Sequence, residues 1–160
     1  MINASKGILV LGLGNEILMD DGIGPKLALE LGNLLDNPGI TYETAAVGGM
    51  ELIEMIRDYN HVIIIDAIKT RDGIPGSVYY LTPSSFKETL HISNLHDISF
   101  ITALKMAKEI GIRITDKIDI VAIEIIEDRV FGEEFTLPVQ NKFHEIKKEV
   151  LHTVKSLIYN

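Results

Sequence analysis

Short apolar runs alternate along this chain with segments whose apolar residues recur every three or four positions. The short runs predict strands, and the segments of longer period predict amphipathic helices. The predicted strands cover residues 8–13, 40–47, 61–66, 77–81 and 117–126. The predicted helices cover residues 22–35, 48–57, 96–110 and 138–158. This alternation is typical of α/β proteins with a mostly parallel sheet.

Two details refine the predicted sheet. Residues 62–65 are all apolar, which indicates a central strand that is buried on both faces. The connection 71–76 is too short for a crossover, so strand 77–81 is expected to run antiparallel. We therefore predict an α/β fold in which residues 1–160 form a single-domain three-layer sandwich. Its twisted, mostly parallel five-stranded sheet would carry helices on both faces.

Composition and charge narrow the class of protein. The chain has 160 residues, of which 46% are hydrophobic, and it contains no cysteine. Disulfides, thiolate zinc sites and cysteine nucleophiles are thereby excluded. A formal net charge of -8 opposes binding to nucleic acid or to an anionic membrane surface. Residues 1–7 lack the apolar core of a signal peptide, and no apolar stretch is long enough to span a bilayer. We expect a cytoplasmic protein that binds neither nucleic acid nor membranes.

Several polar residues are predicted at one edge of the sheet. In open α/β sheets, ligands bind beyond the carboxyl ends of the strands. Asp20 and Asp21 follow the first strand, Asp66 ends the third, and His96 begins the third helix. The two adjacent aspartates also lie where the capping residues of the next helix are expected. Carboxylates and one imidazole are thus expected to converge at this edge.

A dinucleotide site is the first chemistry that this edge suggests. Gly12 and Gly14 begin like a dinucleotide-binding fingerprint, but Ile17 occupies the place of the third glycine. Two carboxylates at the start of the following helix would also repel a pyrophosphate. We therefore expect no organic cofactor.

A metal site is the second possibility. Asp21, Asp66 and His96 supply two carboxylates and one imidazole, a set of donors that nickel or zinc accepts with a coordination position left open. Each residue also has an ordinary structural interpretation, as a helix cap, a strand-end turn or a helix-start hydrogen bond. From spacing alone, both interpretations stay open.

Seven short motifs lie in order along nearly the whole chain: Gly12-Leu13-Gly14-Asn15, Asp20-Asp21-Gly22-Ile23-Gly24, Val47-Gly48-Gly49-Met50-Glu51-Leu52, Ile65-Asp66-Ala67, Pro75-Gly76, Leu95-His96-Asp97 and Thr136-Leu137-Pro138. Together they resemble the motifs of the NiFe-hydrogenase maturation endopeptidases. Members of that family remove a short C-terminal extension from the hydrogenase large-subunit precursor after nickel has been inserted.

The resemblance implies a role for three residues and names a partner. The family's metal-contacting and catalytic residues correspond to Asp21, Asp66 and His96. Nickel would arrive with the precursor, held by the precursor's cysteines, and would serve as the recognition element. A surrogate divalent metal could occupy the same site. The expected partner is the large-subunit precursor, and the expected state is a monomer or a weak dimer.

One segment departs from the family pattern. Relatives tend to carry a glycine and a Pro-Glu pair at the end of the fifth strand, whereas residues 121–127 contain no proline. This difference leaves a second hypothesis open, in which the protein binds the precursor through nickel, as a chaperone would, without cutting it. Because no serine, cysteine or threonine nucleophile motif is present, a cutting enzyme would have to activate water, which a metal ion can do.

Overall fold

The architecture is given by a computed structural model that describes residues 6–85 and 95–160, with the backbone alone for 95–99. A 3-10 turn over Met19–Gly22 precedes the first helix. The strands are β1 Lys6–Leu13, β2 Ile40–Ala45, β3 Tyr59–Ile68, β4 Val78–Leu81 and β5 Ile118–Glu124. The helices are α1 Ile23–Leu34, α2 Gly49–Ile56, α3 Leu95–Glu109 and α4 Leu137–Tyr159. Their order along the chain confirms the predicted alternation.

The five strands form one sheet in the order β2-β1-β3-β5-β4. Strands β1, β2, β3 and β5 are parallel, and β4 pairs antiparallel with β5. Strand β3 lies in the middle of the sheet and is buried almost throughout, as its continuous apolar run predicts. The predicted antiparallel direction of the fourth strand is also confirmed.

Each face of the sheet is covered by two helices and has its own hydrophobic core. Helices α2 and α3 pack on one face, where they bury Ile64 and its neighbours. Helices α1 and α4 pack on the other face and bury Ile65. Successive residues of a strand point to opposite faces, so a continuously apolar strand supplies both cores. The three-layer α/β fold is therefore confirmed.

Glycines bring α1 unusually close to the sheet. A Cβ atom on Gly24 would collide with the carbonyl oxygens of Leu13 and Ile65, and one on Gly12 would collide with the carbonyl of Gly24. Only glycine leaves room for this approach. The start of α1 consequently lies directly against β1 and β3, which places the preceding turn at the carboxyl edge of the sheet.

The structure corrects two local predictions. Strand β3 continues to Ile68, so Asp66 lies inside the strand and not at its end. The strand is extended because β5 pairs beside it as far as Glu124, and the Ile125 N–H then donates to the Ile68 carbonyl. Neither Asp20 nor Asp21 is the N-cap residue of α1, because Gly22 occupies that position. Among the described residues, no helix is long and apolar enough to cross a membrane.

Candidate active site at the carboxyl edge of the sheet

Asp21 is held in a buried position by the turn that connects β1 to α1. Its side chain accepts a hydrogen bond of 2.8 Å from the Asn15 N–H through Oδ2, and the residue is only 5% exposed. Gly14 makes the tight return of the chain possible. It has a φ of 142°, and a Cβ atom there would collide with the Asp21 carbonyl. Backbone geometry thus fixes the position of this carboxylate.

Asp66 reaches the same region from the central strand. It lies on β3 opposite Ala122 of β5, two residues before the strand ends. The Ala67 N–H donates to Asp66 Oδ1 at 2.8 Å. The residue is 6% exposed, so both candidate carboxylates are largely withdrawn from bulk water.

A cavity of about 270 Å³ brings the two carboxylates together. Its walls are formed by the end of β1, the turn after β1, the segment that follows β2, and β3. The lining residues are Leu13, Gly14, Asn15, Leu18, Asp21, Ala46, Val47 and Asp66. Strand β1 lies between β2 and β3, so the chain turns to opposite sides of β1 in its first two crossovers. The cavity therefore lies at a topological switch point, where open α/β sheets bind their ligands.

His96 is the third predicted site residue. Its backbone lies in the first turn of α3, and its side chain lies outside the described residues. Within the part of the chain described with side chains, no three histidine, cysteine, aspartate or glutamate residues are grouped to hold a metal ion. The structure thus brings Asp21 and Asp66 to one cavity, and the ligand role of His96 stays a prediction.

Asp20 has a structural task that the sequence analysis did not identify. Its carboxylate is fully buried and accepts hydrogen bonds from the N–H groups of Ile126, Glu127 and Thr136 and from the Thr136 hydroxyl. These donors lie more than 100 residues away along the chain. Asp20 therefore ties the turn that carries Asp21 to the loop between β5 and α4.

Glu124 was likewise missed as a positioning residue. It ends β5 in the segment that departs from the family pattern, and it is buried. Its carboxylate accepts hydrogen bonds from the Thr70 N–H at 2.7 Å and the Thr70 hydroxyl at 2.9 Å. The Glu124 N–H donates to the Ser77 carbonyl at 2.9 Å. The signal available in the sequence was a single acidic residue at the end of an apolar strand.

Comparison with known proteins decides the family. Residues 44–153 match the family model described as HycI, hydrogenase maturation protease. The chain belongs to the hydrogenase maturation protease family. It is 31% identical over 114 residues to the hydrogenase 2 maturation protease of Escherichia coli strain K12, a match that covers 68% of this chain and 69% of the relative.

Solved structures share the fold of this chain. The maturating endopeptidase HybD from Escherichia coli superposes with a TM-score of 0.72 at 24% identity, covering 94% of this chain and 93% of HybD. HybD from Thermococcus kodakarensis gives a TM-score of 0.72 at 24% identity, covering 95% and 99% of the two chains. The family predicted from the sequence motifs is therefore confirmed, and with it membership of a family of peptidases.

Proposed function

We propose that this chain is the endopeptidase that removes the C-terminal extension of a NiFe-hydrogenase large-subunit precursor after nickel insertion. The observation that carries the proposal is that two buried carboxylates, Asp21 and Asp66, line one cavity at the carboxyl edge of the sheet. Membership of the hydrogenase maturation protease family supplies the substrate class. The two carboxylates and His96 would contact nickel that the precursor carries.

The chemistry of the donors suits recognition of a metal that belongs to the substrate. Carboxylates and imidazole are harder ligands than thiolates. Asp21 and Asp66 could therefore touch nickel held by precursor cysteines without extracting it. Burial strengthens this contact, because a charge interacts more strongly where water is excluded.

Hydrolysis requires a water molecule as nucleophile, since the motifs of a serine, cysteine or threonine nucleophile are absent from the sequence. The water oxygen would attack the scissile carbonyl carbon, one carboxylate would take the water's proton, and the C–N bond would break as the amine leaves with a proton. Either Asp21 or Asp66 could act as the base, because proton transfer needs only a carboxylate of suitable pKa within reach.

The test is the intact mass of the large-subunit precursor before and after incubation with this protein, with and without nickel loaded. We expect loss of a defined C-terminal peptide from the nickel-loaded precursor alone. Asp66→Asn and His96→Ala should reduce the rate by at least about a hundredfold, by analogy with loss of a general acid–base group. The matched control is Asp36→Asn, which changes an exposed aspartate in the loop after α1.

Two results would contradict the proposal. A fully active Asp66→Asn variant would remove the assigned role of that carboxylate. An unchanged precursor mass, together with a complex that forms only when nickel is present, would support the precursor-binding module in place of the peptidase. Circular dichroism of each variant establishes that a lost activity is not a lost fold.

A further inference from the structure

Exposed apolar side chains lie beside the candidate active site. Ile17 belongs to the turn that carries Asp21, and Val130 and Phe131 belong to the loop between β5 and α4. Phe131 is 78% exposed, and Val130 and Ile17 are about half exposed (53% and 48%). We call these three residues the rim. Single exposed apolar residues are ordinary on a protein surface, whereas a group of them beside a cleft marks an interaction site.

Backbone hydrogen bonds attach the rim to the wall of the cavity. Leu18, which lines the cavity, forms an isolated parallel bridge with Gly132. The Gly132 N–H donates to the Ile17 carbonyl at 2.9 Å, and the Met19 N–H donates to the Gly132 carbonyl at 2.8 Å. Ile17 and Phe131, which each precede a bridged residue, are therefore held next to each other. The backbone therefore holds the rim beside the cavity wall, since Ile17 directly precedes Leu18 and Phe131 directly precedes Gly132.

The loop that carries Val130 and Phe131 is acidic. Glu127, Asp128, Glu133 and Glu134 lie within eight residues that contain a single basic residue, Arg129. Lys69 pairs with Asp128 at 3.2 Å, and the other carboxylates leave the loop with an excess of negative charge. A ligand that covers the rim would thus gain from apolar contact at the centre and from positive charge at its flanks.

We propose that the rim binds an apolar segment of the protein substrate that is flanked by basic residues and lies close to the bond to be cut. This inference rests on the proposed function, because that function requires a polypeptide to enter the cavity. Ile17 directly precedes Leu18, which lines the cavity. Because an extended chain advances about 3.3 Å per residue, a polypeptide in the cavity needs only a few residues to reach Ile17. The rim selects the substrate polypeptide, and the two carboxylates contact its metal.

The main test is the steady-state kinetics of Phe131→Ser with nickel-loaded precursor. Removal of an aromatic side chain that the bound substrate would bury should raise KM about tenfold or more and leave kcat nearly unchanged. The matched control is Ile110→Ser, which removes an exposed apolar side chain just beyond α3 (66% exposed) that is not among the residues lining the cavity. We expect no change of KM in the control. Equal KM values for wild type and Phe131→Ser would overturn the proposal.

Charge is tested separately with the double variant Glu133→Gln and Glu134→Gln. It should raise KM severalfold at low ionic strength, and the difference from wild type should vanish in high salt, because salt screens exposed charges. Glu145→Gln, at an exposed position on α4, is the control. A double variant that matches wild type at low ionic strength would overturn the charged part of the proposal.

Binding measurements keep this test independent of cleavage. Fluorescence anisotropy of labelled precursor should show weaker binding to Phe131→Ser than to wild type, whether or not the wild-type protein cuts. If the wild-type protein does not cut the precursor but Phe131→Ser still binds it more weakly, the proposed peptidase function is wrong and the proposed binding role of the rim is supported. A concentration-dependent dimer of the wild-type chain that Phe131→Ser abolishes, with unchanged affinity for the precursor, would assign the rim to a second copy and overturn the proposal.

Discussion

Two adjacent aspartates in the turn after β1 have different tasks. Asp20 is buried and accepts four hydrogen bonds from the loop between β5 and α4. Asp21 lines the cavity with Asp66. The two side chains are chemically identical and differ only in the direction in which the 3-10 turn points them. The surroundings of each residue therefore distinguish the two: Asp20 holds the loop in place, and Asp21 faces the cavity.

Replacing Asp20 should cost stability. In Asp20→Asn, an amide –NH₂ would face N–H and O–H donors, so buried donors would be left without an acceptor. We expect the free energy of unfolding to fall by about 2–4 kcal/mol, as measured by urea denaturation. Asp36→Asn at an exposed position should change it by less than about 0.5 kcal/mol. An Asp20→Asn protein as stable as wild type would show that the four hydrogen bonds contribute nothing net.

Glu127 makes the turn before the rim sensitive to acid. Its Oε1 accepts hydrogen bonds from the Arg129 and Val130 N–H groups at 2.8 and 3.1 Å. The Arg129 N–H is the main cause that lowers the pKa of Glu127 below its ordinary value of 4.5. Because folding lowers the pKa of Glu127, the ionised carboxylate stabilises the turn at pH values above the pKa of the unfolded chain. This stabilisation is lost as the pH falls through the lowered pKa.

An NMR titration measures this effect directly. The amide signals of Arg129 and Val130 should shift together with a midpoint below pH 4.5. In Glu127→Gln that shift should disappear, because no proton is taken up at this position. A midpoint at or above the ordinary glutamate value would refute the assigned hydrogen bonds.

At the scale of the element, glycines allow α1 to pack closely against the sheet. Gly12 and Gly24 remove the side chains that would hold α1 away from β1 and β3. The close approach fixes the turn before α1, and that turn carries Asp21. Gly12, one of the two glycines that resemble a nucleotide fingerprint, is thus explained by packing between helix and sheet.

Gly24→Ala should test this packing. The added methyl group would meet the carbonyl oxygens of Leu13 and Ile65, which belong to the sheet and cannot move independently. We expect a loss of about 2–3 kcal/mol in the free energy of unfolding. Gly39→Ala is the control, because its added Cβ would meet only the Asn37 side chain at 3.3 Å. Equal thermal midpoints for the two variants would contradict the proposed packing.

At the scale of the whole molecule, the two edges of the sheet carry different chemistry. The carboxyl edge holds the cavity with Asp21 and Asp66. Near the opposite edge, His61 Nε2 lies 2.6 Å from Asp119 Oδ2, and the Tyr80 hydroxyl donates to Asp119 Oδ1 at 2.7 Å. This second cluster ties β3, β5 and β4 together, and among the described residues that line the cavity none belongs to it. Stability and activity should therefore be separable.

Asp119→Asn should reveal that separation. The hydrogen bond to Asp119 is the main cause that raises the pKa of Tyr80 above 10.0, with burial adding to it. Loss of the carboxylate that accepts this hydrogen bond should move the pKa of Tyr80 back towards 10.0, as ultraviolet difference spectroscopy can measure, and should lower the thermal midpoint. The rate of precursor processing, measured well below that midpoint, should equal the wild-type rate. A lost rate with an intact fold would contradict the separation of the two edges.

The sequence by itself determined the order of the elements, the central place of β3 and the antiparallel direction of β4. Periodicity, run length and connection length are local properties of the sequence, so they do not depend on how distant parts of the chain pack. The resemblance of short motifs also determined the family, as the match over residues 44–153 confirms. Asp21 and Asp66 were predicted to lie at one edge, since parallel strands end on the same side.

Only the tertiary structure decided which neighbour each polar residue has. Asp20 differs from Asp21 in its role because its hydrogen-bond donors lie more than 100 residues away along the chain. Asp66 lies inside β3 because β5 continues beside that strand. Glu124 acquired its task from Thr70, which lies 54 residues earlier in the chain. Hydrogen-bond partners at such separations leave no periodic trace in a sequence, because they depend on how whole elements pack.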